Sequence, residues 1–130
     1  MTNLEIVKSF YREMAQGNVP VALGLLDPAV KWTEAEMGIY YDGTWVGPEA
    51  VKTNLFDKVP VDWDFFSITP ESFVAEGNVV VAFGDYSGRY SSTGKLFDAP
   101  FVHRWEVFNG KLTSFRQYTD TALQRQVLST

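Results

Sequence analysis

Apolar side chains at Leu4, Val7, Tyr11 and Met14, three, four and three residues apart, predict an amphipathic helix at the start of the chain, with Ile6 and Phe10 widening its stripe. Thr2-Asn3-Leu4-Glu5 has the form of a capping box, and Gly17 suits the left-handed position just past a helix end. Asn18 can cap a second short helix through Leu26, with Pro20 tolerated in its first turn and Asp27-Pro28 ending it. From Val30 to Glu36 the period changes to two. Val30, Trp32, Glu34 and Glu36 then share one face, and Lys31, Thr33 and Ala35 the other. An acid thus follows a tryptophan onto the face expected to be buried. After a loop from Met37 to Gly47, Pro48 fits the first position of a third helix, with Val51, Leu55 and Val59 inward and Glu49, Lys52 and Lys58 in solvent.

From Asp62 onward the pattern is β for nearly sixty residues, broken at Glu76-Gly77-Asn78, Ser92-Thr93-Gly94 and Asn109-Gly110. Four long strands in a meander follow, and strands of that length twist and curl strongly. Asp120 or Thr121 can cap a closing helix carrying Leu123 and Val127. The expected fold is one α+β domain over residues 1–130, a curled antiparallel sheet closed by helices into a cone. Such a cone is filled by side chains or holds a ligand. The chain has 4 Trp, 6 Tyr and 10 Phe for either purpose.

Composition narrows the function. There is no cysteine, hence no disulfide, thiol nucleophile or thiolate metal site, and a cytoplasmic location is the default reading. The start Met1-Thr2-Asn3-Leu4-Glu5 lacks the basic and apolar segments of a signal peptide, and no apolar stretch approaches membrane-spanning length. A net charge of −5, with bases scattered, speaks against nucleic acid as a partner. Phosphate-binding glycine loops, His-Glu-x-x-His, Gly-x-Ser-x-Gly and the dinucleotide fingerprint are absent. No metal site is expected. The same-face pairs Glu34/Glu36 and Asp62/Asp64 read more simply as solvated or strand-end acids.

The single histidine, His103, lies on a strand whose better inner face is Phe101, His103, Trp105, Val107. It is either a tunable group in an aromatic pocket or a core imidazole satisfied by a carbonyl. A two-residue Asn109-Gly110 loop would pair Phe108 with Lys111 and set His103 opposite Arg116. A three-residue loop bulged at Gly110 would pair Val107 with Lys111, set His103 opposite Phe115, and turn Gln117 and Thr119 inward.

Ala99-Pro100-Phe101-Val102-His103 and Gly110-Lys111-Leu112, followed by Phe115-Arg116-Gln117-Tyr118-Thr119-Asp120, resemble the SnoaL-like polyketide cyclases. These belong to the nuclear transport factor 2-like superfamily, with ketosteroid isomerase and limonene epoxide hydrolase. The likeness covers essentially the whole chain, including the Trp32 strand and the Gly47-Pro48 helix. It implies a conical pocket for an apolar small molecule, no cofactor, and a homodimer formed through the sheet. It also implies departures from the family's machinery. The catalytic aspartate of the cyclases and the epoxide hydrolase falls at Gln117, and the hydrolase's arginine and second aspartate fall at Gly84 and Tyr86. The isomerase's oxyanion tyrosine and protonated aspartate fall at Phe10 and Val102, whereas its proton-shuttling aspartate aligns with Glu34. His103 matches a histidine implicated in the cyclases. The comparison favours the bulged turn, with Gln117 inside, Arg116 and Tyr118 outside, and Asp120 a helix cap.

The resulting expectation is a cofactor-independent isomerase or cyclase in which Glu34, its pKa raised by burial, moves a proton. His103 and Gln117 hydrogen-bond a substrate carbonyl, and Phe10, Met14, Trp32, Phe101, Trp105 and Phe115 line the wall. The alternatives are a non-catalytic ligand-binding protein and a structural dimer whose cone is filled.

Overall fold

The computed structural model describes residues 1–129. Helix α1 (Asn3–Ala15) begins with the capping box, in which Thr2 accepts from the Glu5 amide at 3.1 Å and Glu5 accepts from the Thr2 amide at 3.2 Å. Gly17 follows in the left-handed region. Helix α2 (Val19–Gly24) is shorter than expected. Asn18 precedes it without capping, because its side-chain amide turns back to Glu13 at 2.9 Å. Asp27-Pro28 does not end this helix. It lies inside strand β1 (Leu26–Thr33), between Leu26 and Lys31 where the ladder to the neighbouring strand is irregular, a place where a residue without an N–H is tolerated.

The expected loop from Met37 to Gly47 contains a short strand β2 (Thr44–Val46) paired antiparallel to β1. Three largely exposed residues carry no legible alternation. Pro48 opens α3 (Pro48–Val51), which widens into a π-helical turn (Lys52–Phe56), and α4 (Val59–Asp62) leads into the meander. Val51 and Leu55 are buried, on the face the spacing assigned to them.

Strands β3 (Trp63–Glu76), β4 (Val79–Tyr90), β5 (Leu96–Phe108) and β6 (Lys111–Thr119) form the meander, and α5 (Thr121–Gln126) closes the chain. The sheet order is β2-β1-β6-β5-β4-β3, with β1 parallel to β6 and the other pairs antiparallel. Helix α1 packs across β3 to β6. Gly84 permits the close approach of β3 to β4, since a Cβ there would lie 2.7 Å from the Phe101 ring and 2.8 Å from Pro70 Cα.

The hairpin at Asn109-Gly110 corrects both registers expected for it. The loop is the two-residue kind, with positive φ at both residues and Phe108 opposite Lys111. One extra residue is then absorbed on β6, where Glu106 meets Ser114 and Val107 meets Leu112, leaving Thr113 as the bulge. His103 therefore faces Gln117, not Arg116 or Phe115. Phe115 and Gln117 are buried while Arg116 and Tyr118 are exposed, so the expected faces hold although the turn is not the bulged one.

Candidate functional site

Alternation along each element aims a set of side chains into the cone. The inner face of β5 is Phe101, His103, Trp105 and Val107, all buried. β1 contributes Val30 and Trp32, and Glu34, one residue past its end, keeps the same inward direction. Glu36 does not join it. The strand has ended, Met37 takes a positive φ, and Glu36 is exposed, 3.8 Å from Arg116. The other expected pair also separates, Asp62 accepting from Tyr40 at 2.8 Å and Asp64 from Arg89 at 2.8 Å. Among the described residues no three metal-ligating side chains cluster.

Aromatic packing forms the wall. Trp32 stacks on Phe115 with centroids 3.8 Å apart, and Trp105 meets Phe10 edge-on at 4.9 Å. The space left is a cavity of about 430 Å³, so the cone is not filled. Phe10, Met14, Trp32, Glu34, His103, Trp105, Phe115 and Gln117 all line it. Phe101 does not. It packs behind the histidine, its ring stacked on His103 at 4.0 Å and tilted against Tyr86 at 4.6 Å, and so it supports the wall from outside.

Glu34 is 6% exposed and accepts one hydrogen bond, from Trp32 Nε1 at 2.8 Å. Burial disfavours the carboxylate more than this single donor favours it, pushing the pKa up to about 7. The group therefore exchanges a proton near neutrality.

His103 is not free to bind a substrate carbonyl, which corrects the role expected of it. Its Nδ1 is 2.6 Å from the Tyr11 hydroxyl and its Nε2 is hydrogen-bonded to the Tyr86 hydroxyl. Burial pushes the imidazole down to about 3, so it is neutral, with one N–H and one lone pair. Gln117 is held at both its oxygen and its nitrogen, with one Nε2 hydrogen beyond those two bonds. The Ala35 N–H can only donate, and it lies 3.0 Å from Gln117 Oε1, which fixes the amide so that Nε2 donates to Tyr86 at 2.8 Å. Trp105 Nε1 can only donate, and it does so to Tyr11 at 2.9 Å.

These constraints settle the proton count. A neutral imidazole donates to one tyrosine and accepts from the other. Each phenol oxygen already accepts from an outer donor, so one of the two phenol protons binds His103 and the other is unused. With the proton on Nε2, Tyr11 donates to the ring and Tyr86 keeps a free O–H. With the proton on Nδ1, the free O–H is that of Tyr11. Both tyrosines line the cavity. Burial and, after it, the nearby Glu34 charge hold the Tyr86 phenol well above its ordinary pKa, and burial does the same for Tyr11, so both are donors rather than phenolates.

Sequence reasoning missed Tyr11 and Tyr86 as polar members of the site. Tyr11 lies on the apolar stripe of α1, where its spacing signals packing alone; Tyr86 continues the inward run Val80, Ala82, Gly84 of β4, and that alternation is the available signal. Tyr40 and Gln124 also line the cavity and were not foreseen. Tyr40 is pinned at the rim between Asp62 and Trp63 Nε1, the latter at 3.1 Å.

Known structures share this architecture. An NTF2-like protein from Burkholderia thailandensis aligns with TM-score 0.96 at 29% identity, over 100% of this chain and 99% of that one. An NTF2-like protein of unknown function from Burkholderia pseudomallei aligns with TM-score 0.90 at 25% identity, over 100% of both chains. TerC, co-crystallized with polyporic acid, aligns with TM-score 0.87 at 27% identity, over 98% of both. No curated protein matches the chain. The SnoaL-like domain matches residues 7–115, most of the length, and with the helix-closed, curled sheet around an aromatic cavity this places the chain in the SnoaL-like domain family.

Proposed function

We propose that this domain binds an apolar ketone and moves a proton on it, with Glu34 as the base and the free phenol O–H, on Tyr86 beside Glu34, as donor to the ketone oxygen. The observation that carries this reading is a buried carboxyl with a pKa of about 7 lining an aromatic cavity that also presents a hydroxyl donor. The Glu34 carboxylate takes a proton from the carbon next to the carbonyl. The electron pair moves onto the ketone oxygen, where the Tyr86 hydroxyl stabilises the developing charge. Return of the proton to another carbon is an isomerisation, and attack of the carbanion on a second carbonyl of the same molecule is an aldol cyclisation. His103 and Gln117 hold the Tyr86 oxygen in place from behind, and the second Nε2 hydrogen of Gln117 is left for the ligand.

The test needs no knowledge of the product. Cyclic ketones and polyketide-like substrates incubated with the protein in D2O exchange the acidic C–H for deuterium, read by proton NMR. Exchange above the buffer rate that Glu34→Gln abolishes is expected, and a panel with no enzyme-dependent exchange would overturn the proton-transfer step.

A binding role without turnover is the second reading. It is favoured by Gln117, an amide that cannot act as a base and is tied at both ends, and by the small-molecule complex of TerC. Ligand affinity unchanged in Glu34→Gln, with no exchange, is its signature. A homodimer through the outer sheet face is supported by the row Phe83, Val102, Tyr118, adjacent across three strands, with Phe83 and Tyr118 exposed. Sedimentation at micromolar concentration is expected to give the dimer mass.

A further inference from the structure

Gln124 of α5 is 4% exposed and lines the cavity, on an element that takes no part in the Glu34, Tyr86 and His103 arrangement. Its carboxamide is oriented without ambiguity. The Ile39 N–H can only donate, and it lies 2.8 Å from Gln124 Oε1, so the Nε2 end faces away from the loop backbone. Gly38 makes this approach possible, because a Cβ there would stand 2.8 Å from both Gln124 Oε1 and Ala35 O. The two amide hydrogens on Nε2 have no acceptor among the described residues. Among the described residues no fully enclosed side-chain nitrogen or oxygen lacks a partner, so Nε2 touches open space, and the cavity is the open space that Gln124 lines.

We infer that Gln124 is a second ligand anchor, and that the pocket takes an apolar molecule carrying two hydrogen-bond acceptors, a carbonyl at Tyr86 and a further acceptor oxygen at the α5 end. This rests on the pocket reading above and adds the substrate class to it. A buried, fixed donor left empty discriminates between ligands more sharply than an apolar contact, because a ligand without the matching acceptor strands the desolvated N–H.

The experiment compares isosteric pairs of two lengths by calorimetric titration: para-diacetylbenzene against para-isopropylacetophenone, and para,para′-diacetylbiphenyl against its acetyl-isopropyl counterpart. The wild-type protein is expected to prefer the diketone by about fivefold or more at one of the lengths. Gln124→Glu keeps an oxygen acceptor for Ile39 but replaces the donor, and is expected to erase or invert the preference. In the wild type the Gln124 side-chain amide protons should shift with the diketone and not with the isopropyl analogue, a readout independent of how the variant folds. If both members of each pair bind with equal affinity and the amide protons do not move, the Gln124 anchor is overturned and the pocket reading stands. If no probe binds, the pocket reading fails and this inference with it.

Discussion

Replacing Glu34 by Gln retains the acceptor for Trp32 Nε1 and removes the titration of that carboxyl. In the folded protein the carboxyl has a pKa of about 7, against 4.5 in the absence of burial. The folded state therefore holds this proton longer than the unfolded chain. The stability it contributes is complete below pH 4.5 and is lost as pH rises to about 7, by about 3 kcal/mol in all, or about 1.4 kcal/mol per pH unit. His103 acts in the opposite sense. Its pKa falls from 6.5 to about 3 on burial, so its contribution is full above pH 6.5 and is lost as pH falls through that window. Between pH 4.5 and 6.5 the two slopes cancel in the wild-type protein. Glu34→Gln uncovers the histidine slope, and the difference in unfolding free energy, variant minus wild type, grows by about 3 kcal/mol from pH 4.5 to above 7. Urea denaturation from pH 4 to 8.5, followed by the fluorescence of Trp32, Trp63 and Trp105, all buried, measures that difference. A difference that stays level across the range would mean that the folded carboxyl titrates like an exposed one, and would refute the argument that burial prepares it to act as a base.

Tyr86→Phe removes the hydroxyl proposed to face the ketone oxygen and is expected to slow ketone deuteration on the order of a hundredfold while leaving KM within a fewfold, measured by the same NMR exchange assay. The same change leaves Gln117 Nε2 without its acceptor, so a loss of about 1–3 kcal/mol in urea denaturation should accompany it. Gly84→Ala forces a methyl group against the Phe101 ring and the β3 backbone, and a loss of about 3 kcal/mol, seen as a lower Tm in calorimetry, is expected. Asp120 caps α5 by accepting from the Leu123 amide at 3.0 Å, and Asp120→Ala should cost about 1 kcal/mol with unchanged ligand affinity.

Local periodicity made most of the fold legible. The capping box at Thr2 and Glu5, the alternation through Val30, Trp32 and Glu34, and the inner face of β5 are each set by residues within a few positions of one another. What was not legible depends on distant partners. Thr113 looks like any strand residue, and its role as the bulge appears only because the two-residue turn and the burial of Phe115 and Gln117 demand registers one step apart. Glu34 could be singled out because an acid on an apolar face is conspicuous. Tyr11 and Tyr86 could not, because a phenol looks the same from the chain whether its oxygen is solvated or bound to a histidine 92 or 17 residues away. Gln124 escaped for the same reason: its orientation is set by a loop amide 85 residues away.

The lone imidazole between two phenols gives this cavity a wall whose hydrogen-bonding sense can reverse while its heavy atoms stay still. A keto oxygen beside Tyr86 meets a donor when the ring proton sits on Nε2. An enol hydroxyl at the same spot meets an acceptor when the ring proton sits on Nδ1, because Tyr86 then turns its O–H onto Nε2 and leaves an oxygen lone pair toward the cavity. The ketone of the proposed reaction and its enol are therefore complementary to the same rigid surface, and the difference between them is absorbed by the tautomer of one ring and the direction of two phenol O–H groups, while Trp105 and Gln117 donate in both states.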